Sequence, residues 1–188
     1  LSDPIVAVLI AVRMKSARLP RKALADLAGK PAIERLVERM KTARHPQRLV
    51  LCTSTHADDR ILVDLARRLG IGWVCGEEED VMARFLRAAE QTQAELIVRV
   101  TGDNPLTDAE TMDRMIVSHL EYDAEYTYTE ELPFGTRPEI ISVEALRRIH
   151  ALAEDPRQTE YMTVYLKQPE AVKPHRYVVE DAQLVRPH

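Results

Sequence analysis

The sequence predicts an α/β fold built on a doubly wound, mainly parallel sheet. Short apolar runs of strand length alternate with longer amphipathic segments of helical length. The first run, Ile5–Val12, is uniformly apolar over eight residues, which is typical of a strand buried on both faces. The chain of 188 residues contains no internal repeat and no low-complexity linker. We therefore expect one domain, residues 1–188, with right-handed crossovers that place helices on both faces of the sheet.

The later strands are predicted from apolar and β-branched runs bounded by turn residues. They are Arg48–Thr53, Ile71–Cys75, Glu95–Thr101, strands within Tyr126–Ile141 around a loop containing Pro and Gly, and a short last strand at Tyr177–Val179.

The helices are predicted from apolar stripes together with start and stop signals. Pro31 suits the first turn of the first helix, Gly70 suits the stop of the second, and Ser142 suits an N-cap. The third helix is predicted with an acidic first turn, which would complement the helix dipole. The helices are Pro31–Met40, Asp58–Leu69, Glu77–Gln91, Asp108 to about Leu120, Ser142 to about Leu152, and Gln158–Lys167.

The overall charge excludes a large basic surface. The formal net charge is −4, so nothing indicates binding to nucleic acid or to an anionic membrane. We find no signal peptide and no transmembrane segment in the sequence, and the two cysteines lack metal-ligand spacing. Free thiols and a cytoplasmic location are therefore expected.

The loop after the first strand concentrates positive charge. Five cations occur within ten residues, and they are Arg13, Lys15, Arg18, Arg21 and Lys22. The carboxyl end of a buried strand is where α/β sheets bind ligands, and these side chains suit an anion with several oxygens, such as a triphosphate. A solvated basic turn is the alternative. Arg21 is expected to point away from the anion if the backbone there is extended.

The fourth strand ends in the sequence TGDNP, which places a carboxylate opposite the basic loop. In the common doubly wound order 3-2-1-4, the first and fourth strands are neighbours, and the ligand crevice lies between their carboxyl ends. Asp103 would then bind Mg²⁺ together with phosphate oxygens. Alternatively, Asp103 is a turn residue before Pro105.

Two nucleotide-binding motifs are absent. The sequence lacks G-x-x-x-x-G-K-[ST], and the loop after the first strand contains no glycine for a G-x-G-x-x-G motif. Side chains must therefore hold the phosphates more than a glycine-rich backbone does.

Six segments together resemble a known family. In chain order they are AVRMKSARLPRKALADLAGKP, LCTSTHADD, GEEEDVMARF, VRVTGDNPL, PEIISVEAL and EYMTVYL. Their order and spacing resemble the cytidylyltransferases related to spore-coat polysaccharide protein F, which belong with the CMP-sugar synthetases for acylneuraminate and 3-deoxy-manno-octulosonate. The resemblance implies a nucleotide-diphospho-sugar transferase-like, Rossmann-like fold. It also implies transfer of CMP from CTP to a sugar or sugar acid, with release of pyrophosphate, for cell-surface polysaccharide or glycan synthesis.

The resemblance implies roles for particular residues. Arg13, Lys22 and Asp103 would be catalytic, with Asp103 as the Mg²⁺ ligand. Further nucleotide contacts would come from Ala11, Ser16, Arg18, Thr53, Ser54, Asp80 and Arg84. Asp80 and Arg84 are alternatively an exposed pair at a helix start. The acceptor would meet Asn104, Arg137, Glu139 and Tyr161.

The sequence departs from the family pattern in three places. Lys15 replaces a glycine in the first loop, which alters the loop path or adds a cation to the phosphate site. Arg137 and Tyr161 replace an acidic residue and a histidine on the acceptor side, which leaves open a sugar other than the usual one. The sequence ends at Arg186-Pro187-His188 without the stretch in which the family carries a second metal-ligand aspartate, so the family's C-terminal strand and helix are expected to be missing from it.

Two other functions remain open from the sequence, a non-catalytic nucleotide-binding module and a glycosyltransferase that uses a nucleotide sugar. The nucleotide is not fixed by the sequence as CTP. A homodimer is expected, with contacts from the aromatic segment Tyr122–Phe134, although a small core cluster would explain the same residues. The six histidines are expected to be surface or packing residues.

Overall fold

The structure is a computed structural model that describes residues 3–15, 21–153, 155, 159, 162–181 and 184–185. The strands of this described part are β1 Val6–Ala11, β2 Arg48–Ser54, β3 Gly72–Gly76, β4 Leu96–Thr101, β5 Tyr126–Tyr128, β6 Glu139–Ser142 and β7 Pro174–Arg176. They form one sheet with the order β3-β2-β1-β4-β6-β5-β7.

The predicted 3-2-1-4 order is confirmed. Strand β1 is central and runs parallel to β2 on one side and to β4 on the other. Strand β3 continues the parallel arrangement beside β2. In the described sheet, β6 runs antiparallel to β4 and β5, and β7 runs parallel to β5. The sheet is therefore doubly wound and mainly parallel.

The helices cover both faces of the sheet. They are α1 Ala32–Met40, α2 Arg60–Leu69, α3 Val81–Thr92, α4 Ala109–Glu121, α5 Val143–Leu152 and α6 Thr163–Leu166. Side chains of α1, α2 and α4 form one core with Val8 and Ile10, whereas α3, α5 and α6 form a second core with Ala7 and Leu9. The alternation along β1 follows from the two-residue period of a strand, so every side chain of this strand meets a core.

The predicted helix ends are partly confirmed. Gly70 follows α2 in a left-handed conformation, and Asp108 and Ser142 cap α4 and α5 through their side chains. The predicted start of the third helix at Glu77 is wrong, because Asp80 is the N-cap of α3 and Glu77–Glu79 precede the helix. Acidic residues before a helix and in its first turn give the same sequence signal, since both face the positive end of the dipole.

The C-terminal region also differs from its prediction. The last strand is β7, Pro174–Arg176, rather than Tyr177–Val179. Proline is tolerated there because β7 lies at the edge of the sheet and Pro174 is its first residue. The predicted helix Gln158–Lys167 is represented in the described residues by the four-residue α6.

Candidate active site

The carboxyl ends of β1 and β4 lie side by side. Ala11, the last residue of β1, is in register with Thr101, and its carbonyl accepts a 2.7 Å hydrogen bond from the Gly102 amide. A Cβ on Gly102 would lie 2.5 Å from the Cβ of Val12, a distance that no side chain permits. This close approach brings Asp103 to the loop after β1.

Lys22 and Asp103 form an ion pair at this edge. The ammonium of Lys22 donates to Oδ2 of Asp103, and both side chains are about one third exposed. Burial acts to raise the pKa of Asp103, but the hydrogen bond and charge of Lys22 outweigh it and lower the pKa overall. Buried Ala23 anchors the one-turn 3-10 helix Lys22–Leu24 that carries the lysine.

Arg13 and Lys15 meet a carboxylate that the sequence analysis did not single out. Arg13 Nη1 lies 3.6 Å and Lys15 Nζ 3.3 Å from the same oxygen, Oε1 of Glu78. Glu78 lies between β3 and α3, so the basic loop contacts a segment two strands away. No feature of the sequence distinguishes which of the three glutamates at 77–79 faces the cations.

The backbone around the basic loop is partly described. The Arg21 amide donates to the Met14 carbonyl at 3.0 Å, which closes the loop across its base. Arg21 has φ 59° and ψ 20°, so the expected extended backbone there is wrong. Ser16 and Arg18 lie outside the described residues, as does Tyr161 on the acceptor side.

Asp59 is a second residue that sequence reasoning missed. Its buried carboxylate accepts hydrogen bonds from the amide of Met14 at 2.7 Å, and from the amide and hydroxyl of Ser54 at 3.1 and 2.5 Å. It therefore joins the base of the basic loop to the end of β2. The segment LCTSTHADD contains this aspartate, but a buried carboxylate beside the exposed Asp58 has no local signature.

Thr53 and Ser54 are buried at the end of β2. The Ser54 hydroxyl is engaged by Asp59, whereas Oγ1 of Thr53 has no hydrogen-bond partner within the described ranges. A nucleotide contact through either side chain stays a prediction.

Asp80 and Arg84 shape the segment before α3. Oδ1 of Asp80 caps α3 by accepting from the Ala83 amide at 2.9 Å, and Oδ2 lies 2.9 Å from Nε2 of His150. The guanidinium of buried Arg84 donates to the carbonyls of Glu77 and Glu78. Burial lowers the pKa of Arg84. The alternative of an exposed pair is wrong, because Arg84 is buried and the Asp80 side chain is only 13% exposed.

Asn104 links the carboxyl end of β4 to the long loop before β6. Its side-chain Nδ2 donates to Oγ1 of Thr101 at 2.5 Å, and its backbone carbonyl accepts from the hydroxyl of Thr107 at 2.9 Å. Gly135 approaches so closely that a Cβ there would lie 3.0 Å from Oδ1 of Asn104. The side chain of Asn104 is thus held between β4 and that loop.

Glu139 and Arg137 are already engaged within the protein. Glu139 accepts hydrogen bonds from Arg99 and from the hydroxyl of Tyr126. The guanidinium of Arg137 donates to the carbonyls of Leu132 and Glu130 at 2.5 and 2.7 Å and stacks on exposed Phe134. Acceptor contacts by these residues stay predictions.

The aromatic segment divides between core and surface. Tyr126 is fully buried and stacks with Tyr128, so for these two residues the core-cluster alternative is the better explanation. Tyr122 and Phe134 are 62% and 80% exposed. A dimer contact through these exposed rings stays a prediction.

The described residues contain no group of three or more metal-ligating His, Cys, Asp or Glu side chains. Within the same residues, no helix is long and apolar enough to cross a membrane. Both cysteines are free thiols, as expected, and burial raises the pKa of Cys52 to about 12.

Comparison with known families decides the assignment. The profile described as cytidylyltransferase matches residues 7–184. The chain belongs to the cytidylyltransferase family. The resemblance inferred from the six sequence segments is confirmed.

Relatives of this cytidylyltransferase differ in how much they share with it. It is 36% identical over 166 residues to spore coat polysaccharide biosynthesis protein SpsF of Bacillus subtilis, covering 85% of this chain and 68% of that protein. It is 34% identical over 116 residues to 3-deoxy-manno-octulosonate cytidylyltransferase of Chloroherpeton thalassium, covering 61% of this chain and 46% of that protein. The chain thus spans about half to two thirds of the length of such curated relatives.

A solved cytidylyltransferase from Leptospira borgpetersenii has the same architecture. It superposes with a TM-score of 0.89 at 26% identity, covering 97% of this chain and 80% of the other. The Rossmann-like fold expected for the family is therefore confirmed.

Proposed function

We propose that this cytidylyltransferase transfers CMP from CTP to a sugar or sugar acid and releases pyrophosphate, in the synthesis of a cell-surface polysaccharide or glycan. The observation that carries the proposal is the set of cations at the carboxyl end of β1, where Lys22 pairs with Asp103 on the β4 side and Arg13 and Lys15 pair with Glu78 on the β3 side. The names of the relatives support the acceptor class.

The cations have complementary parts in binding a triphosphate. Arg13 offers a planar fork that matches two phosphate oxygens, and Lys22 is a point charge on a flexible stem. Both are now paired with carboxylates whose side chains are partly exposed, so a triphosphate can compete for them. Arg18 and Ser16 are proposed to add contacts from the same loop.

Asp103 suits Mg²⁺ as a single protein ligand. Mg²⁺ is commonly held by one or two carboxylates together with substrate phosphates and water, and Asp103 is a partly exposed carboxylate beside phosphate-binding cations. When bound, Mg²⁺ would neutralise charge on the phosphate oxygens. Lys22 pairs with Asp103, so binding of a triphosphate to Lys22 would make the carboxylate available to the metal.

The transfer itself needs positioning and positive charge. An acceptor oxygen attacks the α-phosphorus, the bond from that phosphorus to the bridging oxygen breaks, and its electron pair leaves with pyrophosphate. Arg13 and Lys22 would stabilise the charge that develops on the phosphate oxygens. We assign no side chain as a general base. A hydroxyl acceptor would therefore lose its proton to water in this proposal.

The acceptor is proposed to lie towards Asn104 and the loop before β6. The loop there is held by Arg137, whose positive charge would attract the carboxylate of a sugar acid. Tyr161 and Glu139 are also proposed for this side. We further propose a homodimer in the cytoplasm, which the two free cysteines and the exposed rings of Tyr122 and Phe134 support.

Pyrophosphate release from CTP, with and without candidate sugars, tests this function. We expect release that requires both a sugar or sugar acid and Mg²⁺. Thermal shifts with CTP, UTP, ATP and GTP identify the preferred nucleotide, because a ligand of the folded state raises its stability. Binding of CTP without turnover would indicate a non-catalytic module, and consumption of a preformed nucleotide sugar would indicate a glycosyltransferase.

A further inference from the structure

Three consecutive glutamates lie between β3 and α3, and one of them faces the cations. Oε1 of Glu78 lies 3.6 Å from Arg13 Nη1 and 3.3 Å from Lys15 Nζ, whereas Glu77 and Glu79 are exposed residues. One carboxylate oxygen thus meets two residues of the proposed phosphate site.

The backbone beneath Glu78 is fixed, but its side chain is near the surface. Arg84 donates to the carbonyls of Glu77 and Glu78, and Oγ1 of Thr159 donates to the carbonyl of Glu79 at 3.1 Å. The Glu78 side chain is 27% exposed. A change of its rotamer can therefore separate the carboxylate from the cations without moving α3.

We infer that Glu78 is a displaceable counter-ion that sets how tightly the site holds polyphosphates. Its carboxylate pairs with Arg13 and Lys15, a polyphosphate displaces it, and it pairs with them again when pyrophosphate leaves. The inference rests on the proposed function, because it takes these cations as the phosphate site.

The physical reason is competition within the molecule. When Glu78 occupies the cations, the apparent affinity for a polyphosphate is reduced, in proportion to the fraction of molecules in which the cations are available. A triphosphate carries more negative charge than one carboxylate and reaches Lys22 as well, so it displaces Glu78. Pyrophosphate faces the same competitor, which favours its departure.

Removal of the Glu78 charge is expected to strengthen binding, whereas loss of a direct ligand contact would weaken it. Without the competitor, binding of CTP and of inorganic pyrophosphate becomes tighter. If Glu78 instead bound a metal or a hydroxyl of the nucleotide, the same change would weaken CTP binding. Glu79→Gln is a matched control, because it removes one charge from the same segment at an exposed position.

The experiment is calorimetric titration of wild type, Glu78→Gln and Glu79→Gln with CTP and with inorganic pyrophosphate. We expect Glu78→Gln to bind both about three- to tenfold more tightly at low salt, which is about 0.6–1.4 kcal/mol. Glu79→Gln should change affinity less than about twofold, through its remote charge alone. The gain should fall at high salt, and also in a Lys15→Gln background, because one of the paired cations is then absent.

Failure of the Glu78 inference and failure of the proposed function give different results in this experiment. Tighter binding confined to Glu78→Gln supports the inference. Equal changes in the two variants, or weaker binding by Glu78→Gln, would overturn it, while CTP-dependent pyrophosphate release by wild type would still uphold the proposed function. If wild type bound neither CTP nor pyrophosphate, the proposed function itself would be contradicted, and the inference with it. Melting temperatures of the variants verify that both are folded.

Discussion

Charged groups are paired at both the proposed nucleotide edge and the far sheet, but in different ways. The nucleotide edge comprises Arg13, Lys15, Lys22, Glu78 and Asp103, and its ion pairs join partly exposed side chains. The far sheet comprises β6, β5 and β7, where Glu139 and its β4 partner Arg99 are only 13% and 16% exposed and Tyr126 is buried.

The difference separates pairs that can open from pairs that hold the fold. An exposed ion pair contributes little stability, so an anion or metal can displace it at low cost. Breaking a buried pair leaves an uncompensated charge and is strongly unfavourable. Burial and the neighbouring Glu139 carboxylate raise the pKa of Tyr126, so its hydroxyl stays protonated and donates to Glu139. We therefore expect mutations at the nucleotide edge to affect activity and mutations in the far sheet to affect stability.

The largest effect is expected for Asp103→Ala. Loss of this carboxylate should lower the rate of pyrophosphate release by about 10²–10³-fold, the cost typical of one preorganised electrostatic group. CTP binding without Mg²⁺ should not weaken, because Lys22 loses its counter-ion. Steady-state rates and calorimetry measure the two quantities, with Asp64→Ala on the surface of α2 as the control. An Asp103→Ala variant that folds and keeps the wild-type rate would remove Asp103 from the site.

Gly102→Ala should also impair turnover, by up to about 10²-fold, since a displacement of 1 Å at an active site can cost that much. The new Cβ would meet Val12 at 2.5 Å and push the loop bearing Asp103 away from β1. The rate and the melting temperature should be measured together. A normal rate would show that the close approach of β1 and β4 is not required for activity.

Glu139→Gln tests the far sheet. We expect a loss of about 2–3 kcal/mol of unfolding free energy, because Arg99 keeps its charge without a full counter-ion. Glu110→Gln is the matched control, since its pair with Arg114 is exposed and should contribute much less to stability. Urea unfolding gives both values. A lower rate of turnover with unchanged stability would instead support the predicted acceptor contact of Glu139.

A smaller effect is expected from pH. Burial, with a contribution from His175, lowers the pKa of His119 to about 4, and its Nδ1 lies 2.9 Å from Oγ1 of Thr127. The unfolded chain binds this proton near pH 6.5, so stability is lost as the pH falls from about 6.5 towards 4. The loss amounts to about 2 kcal/mol between pH 7 and pH 5. Urea unfolding at both pH values should show a smaller loss in His119→Gln than in His45→Gln, an exposed control. Equal losses would mean that His119 is not protonated on unfolding.

The order β3-β2-β1-β4 could be predicted because apolar runs and amphipathic segments alternate along the chain, and this also placed Lys22 near Asp103. Strand β7 could not be predicted, because Pro174–Arg176 forms a strand through its pairing with β5 and has no strand-like composition of its own. At the site, Glu78 is indistinguishable from its neighbours in sequence, and only the path of the β3–α3 segment directs it to Arg13. Asp59 is buried while Asp58 is exposed, which depends on amides supplied by Met14 and Ser54.

The most direct test of the central claim is the affinity for CTP of Arg13→Ala, Lys22→Ala and Arg21→Ala, measured by calorimetry at low and high ionic strength. The claim is that particular side chains at the nucleotide edge hold the triphosphate. We predict losses of at least about tenfold, or 1.4 kcal/mol, for Arg13→Ala and Lys22→Ala at both ionic strengths. Arg21→Ala, at a left-handed and exposed position, should lose little, and that loss should vanish in high salt. Equal losses in all three variants that disappear at high ionic strength would show that the loop is a steering patch and that the phosphate site lies elsewhere.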